Sequence, residues 1–347
     1  MRRSARLRGG LLWAASVIVA VIVVVAACSV VLAPVSPATS VPSFHAEDFT
    51  GDVIAAVGDI MPSPGQGSDA NARAVRSLID RHNPDAYFLL GDLQYECPSD
   101  TLMQTRWDPV WGDVKNDTYL AIGNHEYCNG LGTVGPRPYF ASYGARARPG
   151  GATYHWFKVT LPSPPNPPGS QWLVVVLNSS CRQWDGATWI TPACTFDSAQ
   201  ANWLRQVLDQ NQHIRCTMAL FHEPLFGTPA PHAGSSKMRT LWDVMDNQGA
   251  ARGVDLVLSG HNHAYERLRP MTSSGTISAS QGIHSTIVGT GGRSLTQFSG
   301  ATHPARVRAD DDHFGFLKLV LRPDGWTQSF KRTTGGDYDT VSIGCNR

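Results

Sequence analysis

The sequence predicts an α/β fold, one large domain of two β-sheets packed as a sandwich with flanking helices outside. Three features carry that expectation: a strand–helix–strand unit at the start of the body, a continuous apolar, valine-rich run in its middle, and short strands separated by turn signals towards the C-terminus. Residues 53–57 form an apolar strand ending at Gly58-Asp59, 71–81 carry a helical period, and 86–90 form a second strand ending at Gly91-Asp92. The pattern recurs at 118–122 before Gly123-Asn124. Residues 172–177 (WLVVVL) read as a strand buried on both faces. A helix over 197–210, capped by Asp197, leads to a strand at 217–221 before His222. Residues 241–248 are helical, and a strand at 254–258 ends at Ser259-Gly260-His261. From Ile283 onwards, GTGG at 289–292 and PDG at 323–325 punctuate strands expected to form an antiparallel closing sheet.

With 347 residues, 42% hydrophobic and 16% charged, the chain is too apolar for a disordered tail and long enough to bury a core without metal or disulfide. Arg2, Arg3, Arg6 and Arg8 precede an uncharged apolar run over 11–32, and without them 25 basic residues face 28 acidic ones. The body has no basic stripe with interleaved aromatics, so nucleic-acid binding is not expected. Residues 1–32 read as a signal peptide or membrane anchor, 33–50 as a Pro/Ser/Thr-rich tether and 51–347 as the folded body. Val25-Ala26-Ala27-Cys28 resembles a bacterial lipobox, which would make Cys28 a lipid carrier; an uncleaved anchor and plain secretion are the alternatives. All three place the body outside the membrane, anchored at the cell surface or secreted. Export fits the even set Cys97, Cys128, Cys181, Cys194, Cys216 and Cys345, whose spacing contains no CxxC. Proximity in sequence pairs Cys97 with Cys128 and Cys181 with Cys194, leaving Cys216 for Cys345.

Asp59, Asp92, Asn124, His222 and the pair His261 and His263 all follow strand ends. Ligands gather at the carboxyl ends of strands in open α/β folds, so these residues are expected to form one site. GDI at 58–60, GDLQY at 91–95, GNHE at 123–126, FHEP at 221–224 and GHNHAYER at 260–267 resemble the ordered signature of the calcineurin-like metallophosphoesterases. Tyr95 and the run HAYER are similar to the purple acid phosphatase branch.

The resemblance covers about residues 53–335 and implies a four-layer αββα architecture. It further implies two metal ions: one held by Asp59, Asp92, Tyr95 and His263, the other by Asp92, Asn124, His222 and His261, with Asp92 as the bridge. Many members place a histidine where this chain has Met61, a poor ligand for hard ions; Tyr95 replaces it, and its phenolate favours Fe(III) beside a divalent Zn, Mn or Fe ion. His125 and His232 are the expected catalytic histidines, while Glu126, Tyr265, Glu266 and Arg267 are expected to hold the histidine loops and Glu223 to be structural. The implied activity is hydrolysis of a small phosphomonoester by a metal-bound hydroxide. A phosphodiesterase or nucleotidase, or a non-catalytic phosphate-binding lipoprotein, are the alternatives.

Overall fold

Buried backbone amides must be paired, so short apolar runs bounded by glycine and polar residues become strands. The computed structural model describes residues 44–346 apart from 66–67, 128–145, 147–148, 150–151, 182, 185–188, 191–193, 229–233 and 247–252. Its strands are β1 (Phe49–Thr50), β2 (Val53–Val57), β3 (Ala86–Leu89), β4 (Thr118–Leu120), β5 (His155–Thr160), β6 (Gln171–Val176), β7 (Gln183–Trp184) and β8 (Trp189–Ile190). They continue with β9 (Cys216–Leu220), β10 (Leu256–Ser259), β11 (Tyr265–Met271), β12 (Ile283–Val288), β13 (Arg306–Asp310), β14 (Gly315–Arg322), β15 (Gly325–Arg332) and β16 (Asp337–Gly344). An eight-stranded sheet has the order β1-β5-β6-β9-β10-β12-β11-β13, and a six-stranded sheet the order β16-β15-β14-β2-β3-β4.

The inner faces of both sheets build the central core, where Phe88, Tyr119, Leu319 and Trp326 meet Phe157, Trp172, Met218 and Leu258. Helix Ala70–Asp80 and the helical turns over 100–117 pack on the outside of the six-stranded sheet through Val75, Ile79, Trp107 and Trp111. Helices Ala199–Gln210 and Arg239–Met245 cover the eight-stranded sheet through Leu204, Val207, Leu241 and Trp242. The result is the predicted sandwich of helix, sheet, sheet and helix.

Several local expectations are corrected. Residues 44–50, read as the end of the tether, belong to the sheet, because Phe49 pairs with Val159 and packs on the Tyr119 ring with centroids 5.4 Å apart. The cap of helix Ala199–Gln210 is Ser198, whose hydroxyl accepts from Ala201 N at 3.1 Å, instead of Asp197. The antiparallel strands expected from Ile283 onwards do not form one closing sheet: β12, parallel to β10, and β13 both pair antiparallel with β11 in the first sheet, whereas β14 joins the other sheet beside β2. Two disulfides, Cys181–Cys194 and Cys216–Cys345, pair as expected. Cys97 is also disulfide-bonded, and its expected partner Cys128 lies outside the described residues, as do Cys28 and residues 1–43. Among the described residues no helix is long and apolar enough to cross a membrane.

Tyr265 and Arg267 were expected to hold the histidine loops. They lock the two sheets instead: the Tyr265 hydroxyl donates to Asp339 of β16 at 2.9 Å, and Arg267 Nε and Nη2 reach the same carboxylate at 2.6 and 2.7 Å. Alternation along β11 explains this, since residues 265 and 267 share one face of the strand and 266 takes the other.

His284 on β12 lies at the inner layer beside Arg267, with its ring 5.5 Å from that of Trp326. Burial, then the Arg267 charge, pushes its imidazole down to about 4. The unfolded chain protonates this histidine near pH 6.5 and the folded chain only near 4, so stability falls as pH drops through that window. The loss should reach at most about 3 kcal/mol. His284→Gln is expected to flatten the fall in melting temperature between pH 6.5 and 4; an unchanged slope against wild type would refute the assignment.

Candidate metal centre

β2, β3 and β4 run parallel, as do β6, β9, β10 and β12, so all seven strands deliver their carboxyl ends to the same edge of the sandwich. The sheets are stitched together there by the Gly58 amide, which donates to Val288 O at 2.9 Å, while Asp59 N donates to Gly91 O at 3.1 Å within the six-stranded sheet. Asp59, Asp92 and His261 adopt the left-handed region, with φ of 61°, 53° and 71°, which turns their side chains off the strand ends into one cluster.

Asp92 is 1% exposed, and its Oδ2 stands between two groups of donors. On one side the Tyr95 hydroxyl lies 2.9 Å from Asp92 Oδ2, 2.6 Å from Asp59 Oδ1 and 2.9 Å from His263 Nε2. On the other, His222 Nε2 lies 3.2 Å from Asp92 Oδ2, 3.0 Å from Asn124 Oδ1 and 3.2 Å from His261 Nδ1. One oxygen or nitrogen from each of Asp92, His222 and His261 falls within 4.8 Å of the others, a spacing that could hold a metal ion. Met61 is turned away into the core under helix Ala70–Asp80.

The histidines are oriented from behind. Ring nitrogen Nδ1 of His222 faces the Leu90 carbonyl at 2.7 Å, that of His263 the Ser294 carbonyl at 3.0 Å, and that of His125 the Glu96 carbonyl at 2.5 Å. A proton on each Nδ1 turns Nε2 toward the cluster, the tautomer a metal ligand needs. His125 Nε2 stays 3.8 Å from Asp92 Oδ2, at the margin of the cluster.

The donor set fits a cation. A single phenolic proton at Tyr95 cannot serve two carboxylates and an imidazole nitrogen at once, whereas one positive ion can satisfy all of them. Burial would depress the His222 imidazole, but Asp92 and Asp59 outweigh it and push it up to about 10, and a cation would compete for the place of that proton. Burial alone would raise the carboxyls of Asp92 and Asp59. The facing histidines hold both below the usual carboxylate range. Burial, then the two carboxylates, drives the Tyr95 phenol upward, so ionisation at neutral pH would require a strong Lewis acid on the oxygen.

Glu126, fully buried, holds the loops that present these groups. Its carboxylate accepts from Asp92 N at 2.9 Å, Leu93 N at 2.8 Å and Gly123 N at 2.6 Å. At Gly123 a Cβ would stand 2.1 Å from Asp92 Oδ1, so only glycine allows this approach. Burial, then the Asp92 charge, raises the Glu126 carboxyl to about 7. Glu266 secures the segment after His222, accepting from Thr228 N at 2.8 Å, from the Thr228 hydroxyl and from Arg306 Nε at 2.9 Å. Glu223 pairs with Lys237 at 3.2 Å, and its own amide donates to the Ser179 hydroxyl. His232 lies outside the described residues.

Two features escaped the sequence reading. The GTGG segment, read as a turn signal, backs the cluster: Arg293 N donates to Asp59 O at 3.0 Å and Thr296 N to His263 O at 2.9 Å. Asn178, at the end of β6, donates to the Tyr127 hydroxyl at 2.9 Å and steadies the segment after His125.

Glu126→Gln should set an amide NH₂ against backbone N–H donors and loosen both loops. Metal analysis of the purified variant is expected to give less than half the wild-type content. A full metal complement would remove Glu126 from its positioning role.

A model of the calcineurin-like phosphoesterase family matches residues 52–265. The acid phosphatase of Aspergillus ficuum is 28% identical over 141 residues, 35% of this chain and only 22% of that protein. Among solved structures, the purple acid phosphatase PPD1 from yellow lupin seeds aligns with 84% of this chain and 53% of its own, at 17% identity and a TM-score of 0.56. GAP50, the anchor in the inner membrane complex of Plasmodium, aligns with 85% of this chain and 89% of its own at 16% identity and a TM-score of 0.55. A dimetal phosphatase from Danio rerio aligns with 85% and 99% at 13% identity and a TM-score of 0.52. These structural likenesses establish the fold, and the family model, which spans more than half of the sequence and every strand-end residue from Asp59 to His263, establishes that the chain belongs to the calcineurin-like phosphoesterase family.

Proposed function

We propose that the chain is an exported, acid-phosphatase-like phosphomonoesterase with two metal ions. Asp59, Asp92, Tyr95 and His263 hold one ion in this reading, and Asp92, Asn124, His222 and His261 the other. The observation that carries it is the Tyr95 hydroxyl, with acceptors of Asp59, Asp92 and His263 at 2.6, 2.9 and 2.9 Å. A hard phenolate in that place favours Fe(III), with Zn, Mn or Fe as the divalent partner. The cysteine pairs Cys181–Cys194 and Cys216–Cys345 support an oxidising location, and the apolar run at 11–32 supports export with a membrane or lipid anchor.

When bound, the two ions supply Lewis acidity toward phosphoryl oxygens and lower the pKa of water. The protein's own part is orientation and proton delivery. His125 keeps Nδ1 on the Glu96 carbonyl and directs Nε2 to the margin of the cluster, where it is placed to give a proton to the leaving-group oxygen as the P–O bond breaks, releasing an alcohol. Asn124 contributes a neutral amide, leaving net positive charge for a phosphate dianion. Steady-state assays with an aryl monoester and a bis-aryl diester test the substrate class; a faster diester reaction would move the reading to a phosphodiesterase.

Asp92→Ala is expected to abolish turnover and strip the metals, whereas His125→Ala should cost roughly 10²–10⁴-fold in kcat and keep them. Loss of metal in His125→Ala would overturn its role as acid. Protein made with iron supplied should be pink to violet, and Tyr95→Phe should bleach it with the fold retained. A colourless, fully active zinc or manganese protein would refute the iron assignment.

A further inference from the structure

Beside Tyr95, outside the proposed ligand set, a guanidinium and a carboxylate form a rim. Arg293 places its guanidinium carbon 5.0 Å from the centroid of the Tyr95 ring, Nη2 donates to Glu96 Oε1 at 3.1 Å, and Nη1 donates to Ser294 Oγ at 3.0 Å. The other Glu96 oxygen lies 3.4 Å from His125 Nδ1, and the His125 ring sits 4.3 Å from that of Tyr95. Ser63 also donates to Glu96 Oε1, at 3.4 Å. The Arg293 side chain is 17% exposed and that of Glu96 49%, so the arginine is held while the rim still opens to solvent.

Its placement is set by the backbone. The amide of Arg293 donates to Asp59 O at 3.0 Å, and that of Gly291 to Gly58 O at 3.0 Å. At Gly289 a Cβ would lie 2.8 Å from Asp59 Oδ2 and 2.0 Å from Asn262 O, so the loop must be glycine there to come this close. The next carbonyl, of Ser294, accepts from His263 Nδ1. The same loop, residues 289–294, therefore orients a proposed ligand and carries Arg293 to the edge of the cluster.

Asp59, Asp92 and Glu96 make this wall anionic, and an incoming phosphate dianion needs a permanent positive charge of fixed direction to offset them. A guanidinium offers two N–H groups to two phosphoryl oxygens, a geometry suited to a non-bridging oxygen pair. We propose that Arg293 is a substrate-contacting residue that binds a phosphoryl oxygen beside His125, and that Glu96 is the positioning residue that holds both; this rests on the phosphoester reading. The chemistry favours a dianionic monoester over a monoanionic diester.

The metal-loaded full chain is compared with Arg293→Gln, Arg293→Lys and Glu96→Gln. Arg293→Gln is expected to weaken binding of inorganic phosphate, measured by calorimetry, by about tenfold and to raise KM for an aryl monoester likewise, since a charged hydrogen bond is lost. KM for a bis-aryl diester should rise by less than about threefold, with metal content and visible absorption unchanged, and Arg293→Lys should recover part of the phosphate affinity. Glu96→Gln should weaken phosphate binding in the wild-type background and add nothing to Arg293→Gln; additive effects would remove its positioning role. Unchanged phosphate affinity in Arg293→Gln, or loss of metal from it, would overturn the proposal. Wild-type protein that binds phosphate through Arg293 yet turns over no ester would overturn the hydrolytic reading alone.

Discussion

The organisation of the strand-end edge follows from one constraint, the burial of the Asp92 carboxylate among other acceptors. Its Oδ2 faces the Tyr95 hydroxyl and His222, and its Oδ1 takes the His125 amide at 2.9 Å. An isolated buried carboxylate is costly and would take up a proton. Histidines on one side and a second carboxylate with a phenol on the other convert that cost into a cation-binding environment. The left-handed backbone at Asp59, Asp92 and His261, the glycine at 123 and the three amides on Glu126 are what the chain needs to keep these groups within reach of one another.

The same constraint accounts for the split between the sheets. Asp59, Asp92 and Asn124 follow β2, β3 and β4 of one sheet; His222 and the histidine pair follow β9 and β10 of the other. Their convergence requires the two sheets to keep a fixed distance and twist. The clamp of Tyr265 and Arg267 on Asp339 and the bond from Gln328 to Thr286 at 3.1 Å supply polar ties across the interior. Apolar packing alone would tolerate more sliding than directional bonds allow.

Much of this was legible because strands announce themselves locally. Apolar runs ending in Gly-Asp, Gly-Asn or Gly-His carry both the fold and its strand-end residues in four or five adjacent letters. What stayed hidden depends on distance through space. Glu96 and Arg293 are 197 positions apart and meet at 3.1 Å, and nothing in either neighbourhood signals the pairing. Tyr265 and Arg267 stand inside a motif, yet the alternation of β11 turns them to the opposite sheet, which a motif cannot express. The cap at Ser198 was missed by one position because Asp197 and Ser198 are both good caps, and only the extended backbone at 198 selects between them. Residues 44–50 were assigned to a tether by composition, although their aromatic and apolar side chains had a sheet edge to cover.

The backbone bond between Arg293 and Asp59 has a consequence for the order of events in the life of the chain. The two residues lie 234 positions apart, and β14, later still, must settle beside β2 before that strand is enclosed. A growing polypeptide therefore carries the early aspartates long before it carries the loop that fixes them. The cluster cannot select an ion until nearly the last strand is in place. In the two-metal reading, ion choice then belongs to the finished fold, and the ions on offer are those present where folding ends rather than where the chain was synthesised.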